Sequence, residues 1–206
     1  MFTSTTQAVD SSFIVIIALC ILVFVGIMFF TVFFLIRYRR SRNPKPADLR
    51  GNALLEVVWI AVSTMLALLI FWWGLGSFKY LKAVPSDSIR IHVTASQWSW
   101  LFTYGNGRKS TDMVVPQGKD IALDMETKDV IHGFFIPTYR VKQDIVPGMT
   151  NHLWFRADTL GTADVLCTQY CGGEHSKMLA TVYVVAPDIY QKWVDGEDVD
   201  IPGLTS

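Results

Sequence analysis

Hydrophobic residues follow two different patterns along the 206-residue chain. Before residue 80 they run together. Phe13 to Ile36 is about two dozen residues with no charge, and about 20 such residues cross a hydrocarbon core as a helix. Val57 to Leu75 is a second stretch of this kind, carrying the aromatic cluster Phe71, Trp72 and Trp73 that suits a headgroup boundary. After residue 80 the pattern changes to short alternations. Ile89 to Thr94 reads Ile-Arg-Ile-His-Val-Thr, Ile121 to Glu126 alternates likewise, and Ala180-Thr-Val-Tyr-Val-Val is a buried-strand run. Turn signals are frequent: Gly105-Asn-Gly107, Pro116-Gln-Gly118, Pro137, Pro147-Gly148, Gly161 and Gly172-Gly173. Short strands spaced this closely over about 100 residues predict a β-sandwich or small barrel. Tyr190 to Val194 predicts a short terminal helix, and no internal repeat is present.

Between the apolar stretches lies Arg37-Tyr-Arg-Arg-Ser-Arg-Asn-Pro-Lys45, with Arg50 following; these six basic groups face one acid, Asp48. Cytoplasmic loops carry the excess of Lys and Arg, so this loop is expected inside and both termini outside. The expected organisation is a short external N-terminus (1–12), transmembrane helices over 13–36 and 53–76 joined by a basic cytoplasmic loop (37–52), an outer β domain (85–187) and an acidic tail (188–206), solvated over Asp195 to Asp200. In a bacterium this places a multi-pass protein in the inner (plasma) membrane, with its β domain on the periplasmic face. A cleaved signal peptide does not fit the first stretch, because residues 1–12 hold no Lys or Arg and the apolar run is too long. The formal net charge of zero hides an asymmetry: residues 1–87 carry +4 and residues 88–206 carry −4. Phosphate binding needs a basic face, so a nucleic-acid partner is not expected.

Three cysteines are too few for a disulfide scaffold. Cys20 sits in the first apolar stretch as a small hydrophobe, with Leu19 too large for a lipidation signal. Cys167-Thr-Gln-Tyr-Cys171-Gly-Gly-Glu-His175-Ser-Lys-Met178 carries the chemistry: two thiols, an imidazole and a thioether within twelve positions. Soft sulfur with imidazole selects copper, zinc or iron–sulfur over magnesium and calcium. Structural zinc usually spaces its cysteines by two residues and rarely uses methionine. A mononuclear blue-copper site needs one cysteine, so the second is surplus to it; two bridging sulfurs would let two coppers share them, each with one histidine more. A Cys167–Cys171 disulfide in an oxidising compartment is the competing reading. His132, in Asp129-Val-Ile-His-Gly-Phe-Phe-Ile-Pro137, is the best second imidazole. His92 alternates onto a polar strand face, and His152 follows Asn151 with no local ligand partner.

This array resembles cytochrome c oxidase subunit II, the copper subunit of haem-copper oxidases, over essentially the whole chain. The resemblance implies a two-helix hairpin followed by an all-β, cupredoxin-like Greek-key domain holding a binuclear copper centre, CuA. It implies that Cys167 and Cys171 bridge two coppers, that His132 and His175 cap one each, and that Met178 and the backbone carbonyl of Gln169 are weak ligands. Gln97-Trp98-Ser-Trp100 resembles the family's aromatic patch, where Trp98 would be the point of electron entry; Trp100 reads better as core. Glu56-Val-Val-Trp59 resembles the start of the family's second helix, where the glutamate marks the mouth of a proton path; a carboxylate there is otherwise a group favoured by the helix N-terminus.

The departures from the family pattern carry information too. Gln169 stands where the family usually has a glutamate that reaches magnesium, so a magnesium ion is doubtful here. Arg108 and Lys109 follow the aromatic patch where acidic residues often steer a basic donor. Ser63 replaces a usual proline, and Asp164 replaces an aromatic. The implied function is electron entry: electrons pass from a c-type cytochrome to the copper pair, then to haem in catalytic subunit I, where oxygen is reduced to water with proton translocation. The alternatives are the copper subunit of a nitric oxide reductase, a copper-free quinol oxidase subunit, and a mononuclear blue-copper carrier. No Cys-x-x-Cys-His haem-attachment motif is present.

Overall fold

The computed structural model describes residues 2–45 and 51–204. Asp48 and Arg50 of the basic loop lie outside the described residues. The chain divides into two compact units, one over Val9–Phe78 and one combining Met1–Ala8 with Lys79–Ser206.

Helix α1 spans Thr5–Arg37 and α2 spans Ala53–Lys82. Both are long and apolar enough to cross a membrane. Their apolar residues are exposed on every side, from Phe13 and Leu22 to Leu54 and Trp72, as expected of helices whose solvent is lipid. Asn52 caps α2, its Oδ1 accepting from the backbone N–H groups of Leu54 (3.0 Å) and Leu55 (3.2 Å). Glu56 lies in the first turn. Ser63 falls inside a continuous helix, as the absence of a proline allows.

The second unit is the expected β-sandwich. Its strands are β1 (Ile89–Ser96), β2 (Ser99–Tyr104), β3 (Lys109–Ser110), β4 (Met113–Pro116), β5 (Asp120–Thr127), β6 (His132–Ile136), β7 (Val141–Ile145), β8 (Asn151–Arg156), β9 (Gly161–Cys167) and β10 (Leu179–Val185). One sheet runs β3-β2-β1-β5-β8 and the other β4-β10-β9-β6-β7. Each sheet joins distant segments in parallel, β1 with β5 and β4 with β10, among otherwise antiparallel pairs. Alternation turns Ile91, Val93, Leu123 and Met125 inward from the first sheet, to meet Phe134, Ile136, Val165 and Val182 of the second.

Tyr104, at the end of β2, ties the sheets together. Its hydroxyl accepts from Val114 N–H at 2.7 Å and donates to the Val114 carbonyl at 3.1 Å. Helix α3 (Pro187–Val194) lays the buried Trp193 edge-on against Tyr104, with ring centres 4.9 Å apart. Asp195, Glu197, Asp198 and Asp200 are exposed, but Ile201 is buried and Gly203 accepts from the Tyr183 hydroxyl, so the tail folds back on the sandwich.

Candidate metal centre

Pairing of β6 with β9 brings the chemistry together. Phe134 stands opposite Cys167, so the first residue of β6, His132, lies beside the chain leaving β9. Thr168 N–H continues the ladder to the Gly133 carbonyl at 2.9 Å. The approach is close: a Cβ at Gly133 would stand 2.3 Å from Thr168 Oγ1 and 2.9 Å from Gln169 N. The chain then loops through Cys171, makes a single 3-10 turn over His175–Lys177 and enters β10 after Met178.

Cys167 Sγ and Cys171 Sγ are 3.8 Å apart, against about 2.05 Å in a disulfide, and both cysteines are free. His132 Nδ1 lies 3.9 Å from Cys167 Sγ, and His175 Nδ1 lies 3.5 Å from Cys171 Sγ. Met178 Sδ is 3.9 Å from Cys171 Sγ, and the Gln169 carbonyl is 3.4 Å from Cys167 Sγ. Metal–nitrogen and metal–sulfur bonds of about 2.0 and 2.3 Å put two donors on one ion roughly 3.5–4 Å apart, so these separations fit a metal. His132, Cys167 and Cys171 offer donor atoms all within 4.8 Å of one another, the one such group among the described residues. His175 does not join that group and approaches from the Cys171 side. The imidazoles therefore flank the sulfur pair from separate directions.

The surroundings are apolar on one side and hydrogen-bonded on the other. His132 and Met178 are fully buried. Trp100 packs edge-on against Phe134 and His132, with ring centres 5.2 and 6.1 Å away, and donates its indole N–H to the Met178 carbonyl at 3.4 Å. It is core, as its place in the strand alternation suggests. Burial, then the neighbouring Cys167 thiol, pushes the pKa of Cys171 up to about 11. His132 Nε2 is 2.8 Å from Asp129 Oδ1. Burial works against the charge on Asp129, but bonds from His132, Gln97, Val130 and Thr127 outweigh it and lower its pKa to about 2.

Trp98 is 37% exposed and lies against the cysteine loop, where a Cβ at Gly172 would meet its ring at 3.1 Å. Gln97 Nε2 donates to the Cys171 carbonyl at 2.7 Å. The side chain of Gln169 is engaged as well, its Nε2 donating to Asp144 Oδ2 at 3.1 Å. Glu56 and Cys20 belong to the helical unit. His92 and His152 face outward and pair with Glu126 (3.0 Å) and Asp124 (2.7 Å), as their strand positions suggest.

The structure revises the reading of Arg108 and Lys109. The β2–β3 hairpin carries them to the far end of β2 from Trp98: Lys109 pairs with Thr103, five residues and about 16 Å along the strand. Arg108 is occupied there by Trp193, stacking 4.2 Å over the ring and donating to its carbonyl. Following the aromatic patch in sequence does not put these charges beside it in space. The residues that sequence reasoning passed over are Asp129, Gly133, Gly172 and the side chain of Gln97. The legible signal among them was Asp129, a carboxylate three residues before a candidate ligand.

Comparison with known proteins identifies relatives of this chain. A family model described as cytochrome c oxidase subunit II, periplasmic domain, matches residues 107–185. The cytochrome c oxidase subunit 2 of Alkalihalophilus pseudofirmus is 29% identical over 198 residues, covering 90% of this chain; the chain spans 58% of that relative's length. The subunit 2 of Cereibacter sphaeroides is 28% identical over 223 residues, covering 89% of this chain and 73% of that one. Among solved structures, the periplasmic domain of subunit II of cytochrome oxidase from Bradyrhizobium japonicum superposes with a TM-score of 0.52 at 31% identity, covering 55% of this chain and 95% of that one. With two apolar helices, a β-sandwich of this kind and a His/Cys cluster at its rim, the chain belongs to the cytochrome c oxidase subunit II family.

Proposed function

We propose that this chain is the electron-entry subunit of a respiratory haem-copper oxidase in a bacterial inner membrane, with a binuclear copper centre on the periplasmic side. The observation that carries the reading is a pair of unbonded sulfurs 3.8 Å apart with one imidazole on each side. Four donors gathered tightly around one point would instead have suited a single ion. A copper pair held by Cys167, Cys171, His132 and His175, with Met178 and the Gln169 carbonyl as weak ligands, would supply a one-electron store between an external haem protein and haem in a catalytic partner subunit. Oxygen reduction and proton translocation would belong to that partner.

The chain's own residues prepare the site. Asp129 is an acceptor only, so the His132 proton sits on Nε2 and the Nδ1 lone pair points to Cys167. Trp100, Phe134 and Met178 exclude water from the buried side, which limits solvent rearrangement when charge changes. Trp98, exposed and lying against the cysteine loop, is the entry point for electrons from a c-type cytochrome. Gln169 presents no anionic oxygen, so no magnesium role is assigned to it. Glu56, at the first turn of α2, is proposed as the mouth of a proton path into the partner. A copper-free quinol oxidase subunit would not need these donors.

Loading the full chain in detergent with copper tests the proposal. Two ions per chain and a paramagnetic-resonance hyperfine pattern from two equivalent nuclei are expected; one ion, or a single-copper pattern, overturns it. Cys167→Ser should abolish that pattern, and a variant that kept two coppers with the original spectrum would refute bridging.

A further inference from the structure

Asp129 directs its two oxygens to different parts of the site. Oδ1 lies 2.8 Å from His132 Nε2 and also accepts from Val130 N–H at 2.7 Å and from the Thr127 hydroxyl at 3.1 Å. Oδ2 accepts from Gln97 N–H at 2.7 Å, in the turn between β1 and β2 that carries Trp98. Gln97 then passes its side-chain amide to the Cys171 carbonyl at 2.7 Å. A continuous path of hydrogen bonds thus runs from His132 through Asp129 to the Trp98 turn, and from that turn to Cys171. Its three segments are the loop before β6, the β1–β2 turn and the loop after β9; the β1–β5 ladder stops short of the first two, at Ala95 and Thr127 with Lys128 N–H on the Ala95 carbonyl, and the hydrogen bonds of Asp129 and Gln97 carry the connection onward to Trp98 and Cys171.

We infer that Asp129 is a positioning residue with two duties: it orients the His132 ring for metal, and it pins the Trp98 turn to the same frame, so that the entry residue and the ligands move as one body. This rests on the two-copper reading of the site. The first duty follows from chemistry, since a carboxylate can only accept and so fixes which ring nitrogen is bare. The second follows from distance. Electron transfer is sensitive to small changes of separation, and the hydrogen bonds from Gln97 hold its turn to both ligand loops.

A plainer role is the competitor: Asp129 shapes its own loop through Val130 and Thr127 and does nothing more. Two variants separate the possibilities. Asp129→Ser keeps a turn-forming oxygen but is too short to reach His132 or Gln97. Asp129→Asn keeps an acceptor oxygen, which the three donors around Oδ1 will claim, and so turns an N–H group toward the Gln97 N–H. Both are measured in the copper-loaded full chain, with far-ultraviolet circular dichroism as the check on folding. Asp129→Ser should bind copper 10- to 100-fold more weakly against a competing chelator, the usual scale for losing such a partner, and should change the hyperfine pattern. Asp129→Asn should keep copper and pattern yet accept electrons from a reduced haem protein several-fold more slowly per bound copper pair.

Wild-type copper affinity and spectrum in Asp129→Ser would overturn the first duty, and a wild-type entry rate in Asp129→Asn the second. Should Asp129→Ser not fold, Asp129→Ala with the same readouts replaces it. A wild-type chain that takes up no copper pair brings down the reading of the site and this inference together.

Discussion

Gly172 has φ +126°, a conformation that side-chain-bearing residues rarely adopt, and a Cβ there would press on the Trp98 ring at 3.1 Å. Gly133 is needed for a different reason, the 2.3 Å that would separate its Cβ from Thr168 Oγ1. The two substitutions should therefore fail differently. Gly172→Ala should leave copper bound and slow electron entry, whereas Gly133→Ala should push the cysteine loop away and lower copper retention; metal content and stopped-flow reduction on the same samples check both. The thiols make a further prediction. Burial and Cys167 hold the Cys171 pKa at about 11, so at neutral pH that sulfur carries a proton which a metal must displace. Copper affinity should rise with pH from 6 to 8 and uptake should release protons, measurable by chelator competition and in weakly buffered solution. Cys167, Cys171, His175 and Met178 were legible because a short segment with that donor set has few other uses. Gln97 was not, and of Asp129 only its place three residues before His132 was, because the rest of their roles depends on partners 32 and 74 positions distant in the chain.

At the scale of elements, strand pairing decides what the alternating pattern leaves open. The structure turns Tyr104 of β2 inward, and nothing in the sequence shows that its hydroxyl closes the sandwich onto Val114. Burial drives the phenol pKa well above its ordinary value, and the phenol stays neutral. Tyr104→Phe leaves the Val114 N–H and carbonyl without that partner, and should destabilise the domain by about 1–3 kcal/mol in denaturant unfolding. The hairpin beyond Tyr104 shows the same limit of sequence reading. Arg108 looks like a free basic group near the aromatic patch, yet it is claimed by Trp193 from helix α3 at the other end of β2. Adjacency along an antiparallel strand becomes distance as soon as the strand is extended.

For the molecule as a whole, α1 and α2 have apolar side chains exposed all round, which water would penalise and a bilayer would not. At about 1.5 Å per residue, helices of 33 and 30 residues exceed a hydrocarbon core of about 30 Å. The exposed arginines Arg39, Arg40 and Arg42 between them predict a cytoplasmic loop. Trypsin added to inside-out vesicles should cut there and leave the β domain protected; right-side-out vesicles should resist cutting at these sites. Cutting from the outer face would reverse the proposed topology and remove access of a periplasmic donor to Trp98.

By itself the sequence determined the two apolar helices, the β class of the remainder and the donor set around Cys167, because each is written in local composition or spacing. Only the tertiary structure decided that His132 meets Cys167 through the β6–β9 pairing, that the two sulfurs stand apart unbonded, and that Asp129 and Gln97 link His132 and the Cys171 loop to the Trp98 turn. Hydrophobic periodicity records which side of a strand is buried, but carries no record of which strand lies beside it. That choice is made by packing and by hydrogen bonds between segments far apart in the chain.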